Sequence, residues 1–466
     1  MITDLFMRFL TDVINKFKSI SCRKGLYSFL MLLGISCQSN AAWLSMCPDL
    51  PLSVLNNRDE GYFSHFLNAQ EKIIILRITA TKPENPGCET KELPVGADKV
   101  SWAGFAKPAI NKARQIALQG RELNGHFAVS EIIVPDASDA ALATLVDKPK
   151  PVYRPLLTAK ARRFLPLRAG WFWSPDSWLI RPQKIFDSQT TLGLKRIYMT
   201  VPVSKGQVQH REQLRKFLQI AHQHGLQVWA VLGDPEAVLE REKQSFLALV
   251  HAYQVFNTDG GQQKLDGLQL DIEPYLLPGY QLNPAIWLQA EAKTVNAAHQ
   301  IAPSLLLDMV LPFWFEPLQG DAAKLLADVE ASIGSITVMN YRTDPEQIRE
   351  FAEKFLAWGE LRQKPVYIAL ESLPIQEEDL HAYREADSGE LWQFDFKTSP
   401  VLVLLREQVQ QLPGGKAYRL SHSRKIDGSG TSFFRQPGEL MKLLPTLETQ
   451  FGAWSSFAGI ALHGQE

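Results

Sequence analysis

Several absences narrow what this 466-residue chain can be. It has no block of lysine and arginine and a formal net charge of -1, so a nucleic-acid partner is excluded on electrostatic grounds. No Gly-x-Gly-x-x-Gly turn follows an early strand pattern, which removes the nucleotide-binding form of an open doubly wound sheet. The apolar run at 26–35 falls short of the roughly twenty residues that a membrane-spanning helix needs. Histidine is sparse where a metal would want it. His126, His210, His222, His224, His251 and His299 lie in helical patterns or away from strand ends. A metal-dependent hydrolase built on Asp271, Glu273, Glu371 and His463 therefore lacks a second convergent imidazole, and neither metal nor cofactor is expected.

Only four cysteines occur, at 22, 37, 47 and 88. Arg23 and Lys24 precede the apolar run, and Ser39-Asn40-Ala41-Ala42 follows it with small residues, the layout of a signal peptide over 1–41 cleaved after Ala41. Gly34-Ile35-Ser36-Cys37 has no leucine three residues before its cysteine, which argues against lipoprotein processing. The expected location is periplasmic or extracellular, with an uncleaved signal as the way to a membrane anchor. Signal removal leaves Cys47 and Cys88, a pair suited to a disulfide in an oxidising compartment.

Residues 42–160 form a smaller N-terminal domain rich in β-structure, with strand patterns at 72–78 and 126–134. It closes on the linker-like Lys148-Pro149-Lys150-Pro151. From 161 to 466, short apolar strands alternate with amphipathic helices. The strands fall at 167–173, 195–203, 227–232, 267–273, 305–310, 335–341, 366–371 and 457–463. Helical spacing occupies 211–224, 236–253, 284–301, 320–331 and 345–361. Eight such repeats over about 300 residues match a closed (β/α)8 TIM barrel. The long connection at 372–456 is expected to hold a short helix at 401–412 and to form one wall of the cleft.

In such a barrel reactive groups sit where strands end. The fourth strand carries Gln269, Asp271 and Glu273 on one face, with Leu268, Leu270 and Ile272 on the other. Two neighbouring, partly buried carboxyls repel, and one of them keeps its proton near neutrality as a general acid. The sixth strand ends Asn340-Tyr341-Arg342, the seventh at Glu371, the eighth at His463. Among the eleven tryptophans, Trp171, Trp173 and Trp314 fall at strand ends where their faces suit sugar rings.

The stretch from Asp266 through Gly267, Asp271 and Glu273 resembles the signature of family 18 glycoside hydrolases, D-G-x-D-x-D-x-E, and Met339-Asn340-Tyr341-Arg342 resembles that family's M-x-Y-D. Gln269 stands where the family has its middle aspartate, and Arg342 where it has the aspartate after the tyrosine. The resemblance covers the barrel. It implies Glu273 as acid/base, Asp271 as the group that orients a substrate acetamido, and Tyr341 as a stabiliser of the intermediate.

Glu273-Pro274 together with Glu371 is similar to the acid/base and nucleophile pair of the large clan of retaining barrel glycosidases, with Ile272 in place of its asparagine. Asp271-Ile272-Glu273-Pro274-Tyr275, Tyr341-Arg342 and Gly459-Ile460-Ala461-Leu462-His463 also resemble bacterial exported barrels that share these motifs. The nucleophile is then Glu371 or the substrate itself, with Arg342, His463, Asn340 and the three tryptophans contacting an oligo- or polysaccharide. Two rival readings are a carbohydrate-binding TIM barrel without catalysis and the metal-dependent hydrolase above. Endo or exo action, the glycan and the oligomeric state are not written in the sequence.

Overall fold

The computed structural model describes residues 42–48, 62–66, 73–79, 82, 87–93, 97–102, 115–123, 126–133, 151–156, 164–277, 280, 283–395 and 400–464. Residues 1–41, where a signal peptide is expected, with Cys22 and Cys37, and most of the proline-rich linker lie outside that set. Among the described residues, eight parallel strands close into a barrel. In chain order these are β1 (Leu167–Phe172), β2 (Leu194–Met199), β3 (Gln227–Leu232), β4 (Gly267–Leu270), β5 (Leu306–Pro312), β6 (Ser335–Met339), β7 (Val366–Glu371) and β8 (Phe457–His463). Between them run α1 (Pro182–Leu192), α2 (Arg211–Gln223), α3 (Glu240–Thr258), α4 (Pro284–Ile301), α5 (Gly320–Val329), α6 (Pro345–Arg362) and α7 (Pro437–Phe451).

Local chemistry accounts for the helices. In α2 Leu214, Phe217, Leu218 and Ala221 are buried at three- and four-residue spacing, one stripe against the barrel. Before α6, Asp344 accepts from the Gln347 amide at 2.9 Å and Pro345 opens the first turn, so an otherwise orphaned donor is satisfied.

The strands divide two cores between their faces. Outward residues such as Phe172, Ile197, Leu268 and Ile368 pack on the helices, while Ala169, Trp171, Tyr198, Trp229, Val231, Ala369 and Ala461 fill the barrel interior. Three alanines there make room for three large rings, the large-small alternation that native packing density requires. Closure between β8 and β1 depends on Gly459, at φ +148°, where a Cβ would come within 1.8 Å of the Leu167 carbonyl oxygen.

The 401–412 helix expected from the sequence is instead a strand, Pro400–Val409. Val401, Val403 and Leu405 alternate towards Leu44, Met46 and Leu93, so a period of two with β-branched residues decides the conformation. The strand lies in a seven-stranded antiparallel sheet ordered Ala97–Trp102, Pro400–Val409, Gly389–Asp395, Gly415–Ile426, Glu378–Glu385, Gln115–Leu123, His126–Ile133. Strands from before the barrel thus pair with strands inserted between β7 and β8.

A separate four-stranded sheet runs Tyr62–Phe66, Ile73–Thr79, Ala42–Pro48, Glu89–Leu93. Cys88 is disulfide-bonded, and extending the register Met46↔Glu89 by one residue sets Cys47 opposite it. The Cys47 side chain lies outside the described residues. No helix among the described residues is long and apolar enough to cross a membrane.

Candidate active site

β4 leaves the ladder at Leu270, so Asp271 and Glu273 stand just beyond the strand rather than within it. The Asp271 amide still donates to the Leu232 carbonyl at 3.0 Å, which keeps the chain beside β3. Pro274 then starts a single 3-10 turn, Pro274–Leu276. That turn folds Tyr275 back so that its hydroxyl donates to Glu273 Oε1. Tyr275 is a functional residue that pattern reading missed, although the Pro-Tyr step was its signal.

Gly233, directly after β3, is the other missed position: a Cβ there would lie 2.7 Å from the Asp271 carbonyl oxygen and 3.0 Å from its Cβ. Gly233→Ala should therefore displace Asp271. Misplacement by an ångström at a reacting centre can cost about 10²-fold in rate, so kcat is expected to fall about that far, and because the clash is with backbone the melting temperature should fall as well. A variant with native kcat would show that Asp271 tolerates the shift.

Both acids are held towards their neutral forms. Burial, reinforced by the charges of Glu273 and Asp308, pushes the Asp271 carboxyl up to about 7. Burial also raises Glu273, while the hydrogen bond from the Tyr275 hydroxyl pulls it back. Behind them on α4, burial raises the Glu291 carboxyl well above its usual range, and the nearby Glu273 and Asp271 add to it. Asp271 Oδ1 and Glu291 Oε2 are buried with no hydrogen-bond partner among the described residues.

Tyr341 follows β6 and is buried. Burial, reinforced by the charges of Glu371, Asp271 and Glu273, raises its phenol well above the ordinary range. Asn340 is fully buried and donates to the Ile348 carbonyl at 2.7 Å, tying β6 to α6 rather than reaching into the cleft. Arg342 lies with its guanidinium 4.1 Å from the Phe313 ring centroid and 5.7 Å from that of Phe351, and donates to the Tyr341 carbonyl at 2.8 Å. Its guanidinium faces aromatic rings rather than a site carboxylate.

At the ends of β7 and β8, Glu371 Oε2 accepts from His463 Nδ1 at 2.7 Å, and Glu371 Oε1 accepts from the amides of Ser372 at 2.7 Å and Leu373 at 2.6 Å. Trp173 is 37% exposed and donates its indole N–H to His463 Nε2 at 2.6 Å. Trp171, expected as a sugar platform, is buried in the barrel interior, its indole donating to Gln269 Oε1 at 2.6 Å. Strand alternation turns it inward. Trp314 is 43% exposed and meets Tyr275 edge-on, centroids 5.2 Å apart. It stands one ring away from Glu273. The loop returning from the inserted sheet crosses the mouth here: the Thr343 amide donates to the Gly430 carbonyl at 3.2 Å, and Phe433 to the Glu371 carbonyl at 2.9 Å.

Below the acids Gln269 pairs in register with Asp308, and its amide donates to Asp308 Oδ2 at 2.8 Å. Thr337 donates to the same oxygen at 2.7 Å and Ser335 donates to the other. The position where the family signature carries an aspartate thus holds an amide that bridges the Trp171 indole to a buried carboxyl on β5. Sequence reasoning had no means to join these three strands. Asp266, the first residue of the motif, sits at the opposite end, accepting from the Val228 amide at 2.6 Å and contacting His222 at 3.0 Å. Its work is in the fold.

Chemically the mouth offers two buried carboxyls held towards their neutral forms, Asp271 and Glu273, with the Tyr275 hydroxyl on the second. Among the described residues no group of three or more His, Cys, Asp or Glu side chains is gathered as a metal site, and both nitrogens of His463 already have partners.

No protein-family model and no curated protein matches the chain. Solved structures similar to it include a class V chitinase from Nicotiana tobaccum, 11% identical, TM-score 0.35, over 64% of this chain and 93% of that one. A GH18 chitinase from Cycas revoluta in complex with (GlcNAc)3 is 12% identical, TM-score 0.34, over 64% and 94%. The spore cortex-lytic enzyme SleL from Bacillus megaterium QM B1551 is 10% identical, TM-score 0.36, over 80% and 84%. At such identities and scores the chemistry of this chain is argued from its own side chains.

Proposed function

We propose that this chain is an exported glycoside hydrolase that acts with retention on a glycan carrying N-acetyl groups, with Glu273 as its acid/base and the barrel mouth as its site. The observation that carries this reading is the buried pair Asp271 and Glu273 just past the end of β4, both raised towards protonation, with the Tyr275 hydroxyl on Glu273. A carboxylic acid that keeps its proton near neutrality can deliver it to a glycosidic oxygen.

In the proposed first step Glu273 protonates the leaving oxygen and the C1–O bond breaks, its electron pair going to that oxygen. The substrate's acetamido oxygen closes on C1 from the opposite face, with Asp271 orienting the acetamido group. Glu273, now a carboxylate, takes a proton from the water that opens the intermediate, so C1 keeps its starting configuration.

Purified protein incubated with N-acetylglucosamine oligomers and with peptidoglycan, with the newly formed reducing ends followed by proton NMR, tests the reading. Appearance of the retained anomer first is the expected result. First appearance of the inverted anomer would refute the retaining step. Absence of cleavage across N-acetylated and non-acetylated glycans would leave a binding barrel instead.

A further inference from the structure

We propose that Glu371, His463 and Trp173 form a positioning relay for Tyr341, and that Glu371 is therefore not the nucleophile of the reaction. The inference rests on the hydrolase reading only for its consequence in catalysis; the relay itself is a matter of hydrogen-bond chemistry.

An indole N–H can only donate. Its bond to His463 Nε2 at 2.6 Å therefore makes Nε2 the acceptor, and the proton of the neutral ring resides on Nδ1, donated to Glu371 Oε2 at 2.7 Å. Two backbone amides occupy Glu371 Oε1, so three donors converge on a carboxylate that is 6% exposed. Attack on an anomeric carbon needs an oxygen lone pair free to advance, and here advance would strip either the imidazole or two backbone amides of their acceptor.

The imidazole is engaged at both nitrogens, which leaves its faces and edges. Trp171 and Trp173 meet it edge-on at 5.6 and 5.8 Å between centroids. Tyr341 lies parallel to it, 9° between planes and 6.1 Å between centroids. Tyr341 stands past the end of β6, where no ladder bond orients its ring, so the clamped imidazole supplies the flat wall against which that ring is set. Trp173, half-exposed at the mouth, locks the far side of that wall.

Nitrogen-15 NMR of His463, recorded at pH 8 on the full folded chain, reads the relay without reference to activity. The Nδ1–H tautomer is expected in the wild type; an Nε2–H tautomer would overturn the relay. In Glu371→Gln one amide N–H must face either the two backbone N–H groups or the imidazole N–H, so the relay loses one end and kcat is expected to fall about 10²-fold with KM nearly unchanged. Native kcat in this variant would count against the assignment.

Azide added to Glu371→Ala with an activated aryl glycoside separates the two roles. A lost nucleophile would be replaced: azide would bond to C1 as the aryloxide departs with its electron pair, and turnover would return as glycosyl azide. No rescue is expected, and rescue would overturn the proposal. If the wild type cleaves no glycan at all, the hydrolase reading falls while the tautomer still decides the relay.

Discussion

Replacing Glu273 with glutamine is expected to remove nearly all hydrolysis of an unactivated glycan while leaving the fold intact. Glutamine keeps an oxygen where the Tyr275 hydroxyl donates, so the side chain stays in place. What it loses is the proton. General acid assistance is typically worth about 10²–10⁴-fold, and that is the loss expected with a sugar or other poor leaving group.

An aryl glycoside with an activated phenolate departs without protonation, so its first step should suffer far less. Paired rate measurements on the two substrates, with circular dichroism melts as a control for folding, make the comparison. Native turnover of the unactivated glycan by Glu273→Gln would remove Glu273 from the role of acid, and equal losses on both substrates would point to a positional defect instead.

The second large effect concerns Asp271 and pH. Its carboxyl is raised from 3.8 to about 7 in the folded protein by burial and by the charges of Glu273 and Asp308. The folded state therefore binds this proton more tightly than the unfolded chain does. Its contribution to stability is complete below the unfolded value, near pH 4, and is lost as pH rises to about 7, beyond which both states are ionised.

At 1.36 kcal/mol per pKa unit the shift corresponds to about 4 kcal/mol. Asp271→Asn has no proton to lose, so its melting temperature relative to the wild type should rise steadily between pH 4 and 7 and stay higher above that, while hydrolysis collapses. Melting curves across pH 4 to 9 check this. A difference that does not change with pH would mean that Asp271 is not held neutral by its surroundings.

Much of the barrel was legible because its signals are local. β3, β7 and β8 begin and end where alternation and apolar runs place them, and α4 runs over the residues that its spacing and Pro284 mark. The helix assigned to 401–412 failed for the opposite reason. The run Val401-Leu402-Val403-Leu404-Leu405 is apolar throughout, which hides the alternation of Val401, Val403 and Leu405, and the partner that completes the strand is Ala97–Trp102, about 300 residues away in sequence. Short apolar runs do not carry that information.

The same division runs through the site. Sequence by itself put Asp271, Glu273, Tyr341, Glu371 and His463 at or near strand ends; Glu371 and His463 end their strands, while Asp271, Glu273 and Tyr341 lie one to three residues past theirs. Tertiary structure alone decided what each does there. Arg342 meets Phe313 and Phe351 instead of an acid, Trp171 turns inward to Gln269, and Glu371 closes on His463 and two amides instead of standing open. These roles depend on burial and on partners from other strands, which set the protonation and hydrogen bonding of a carboxyl or an imidazole and have no trace in the spacing of the chain.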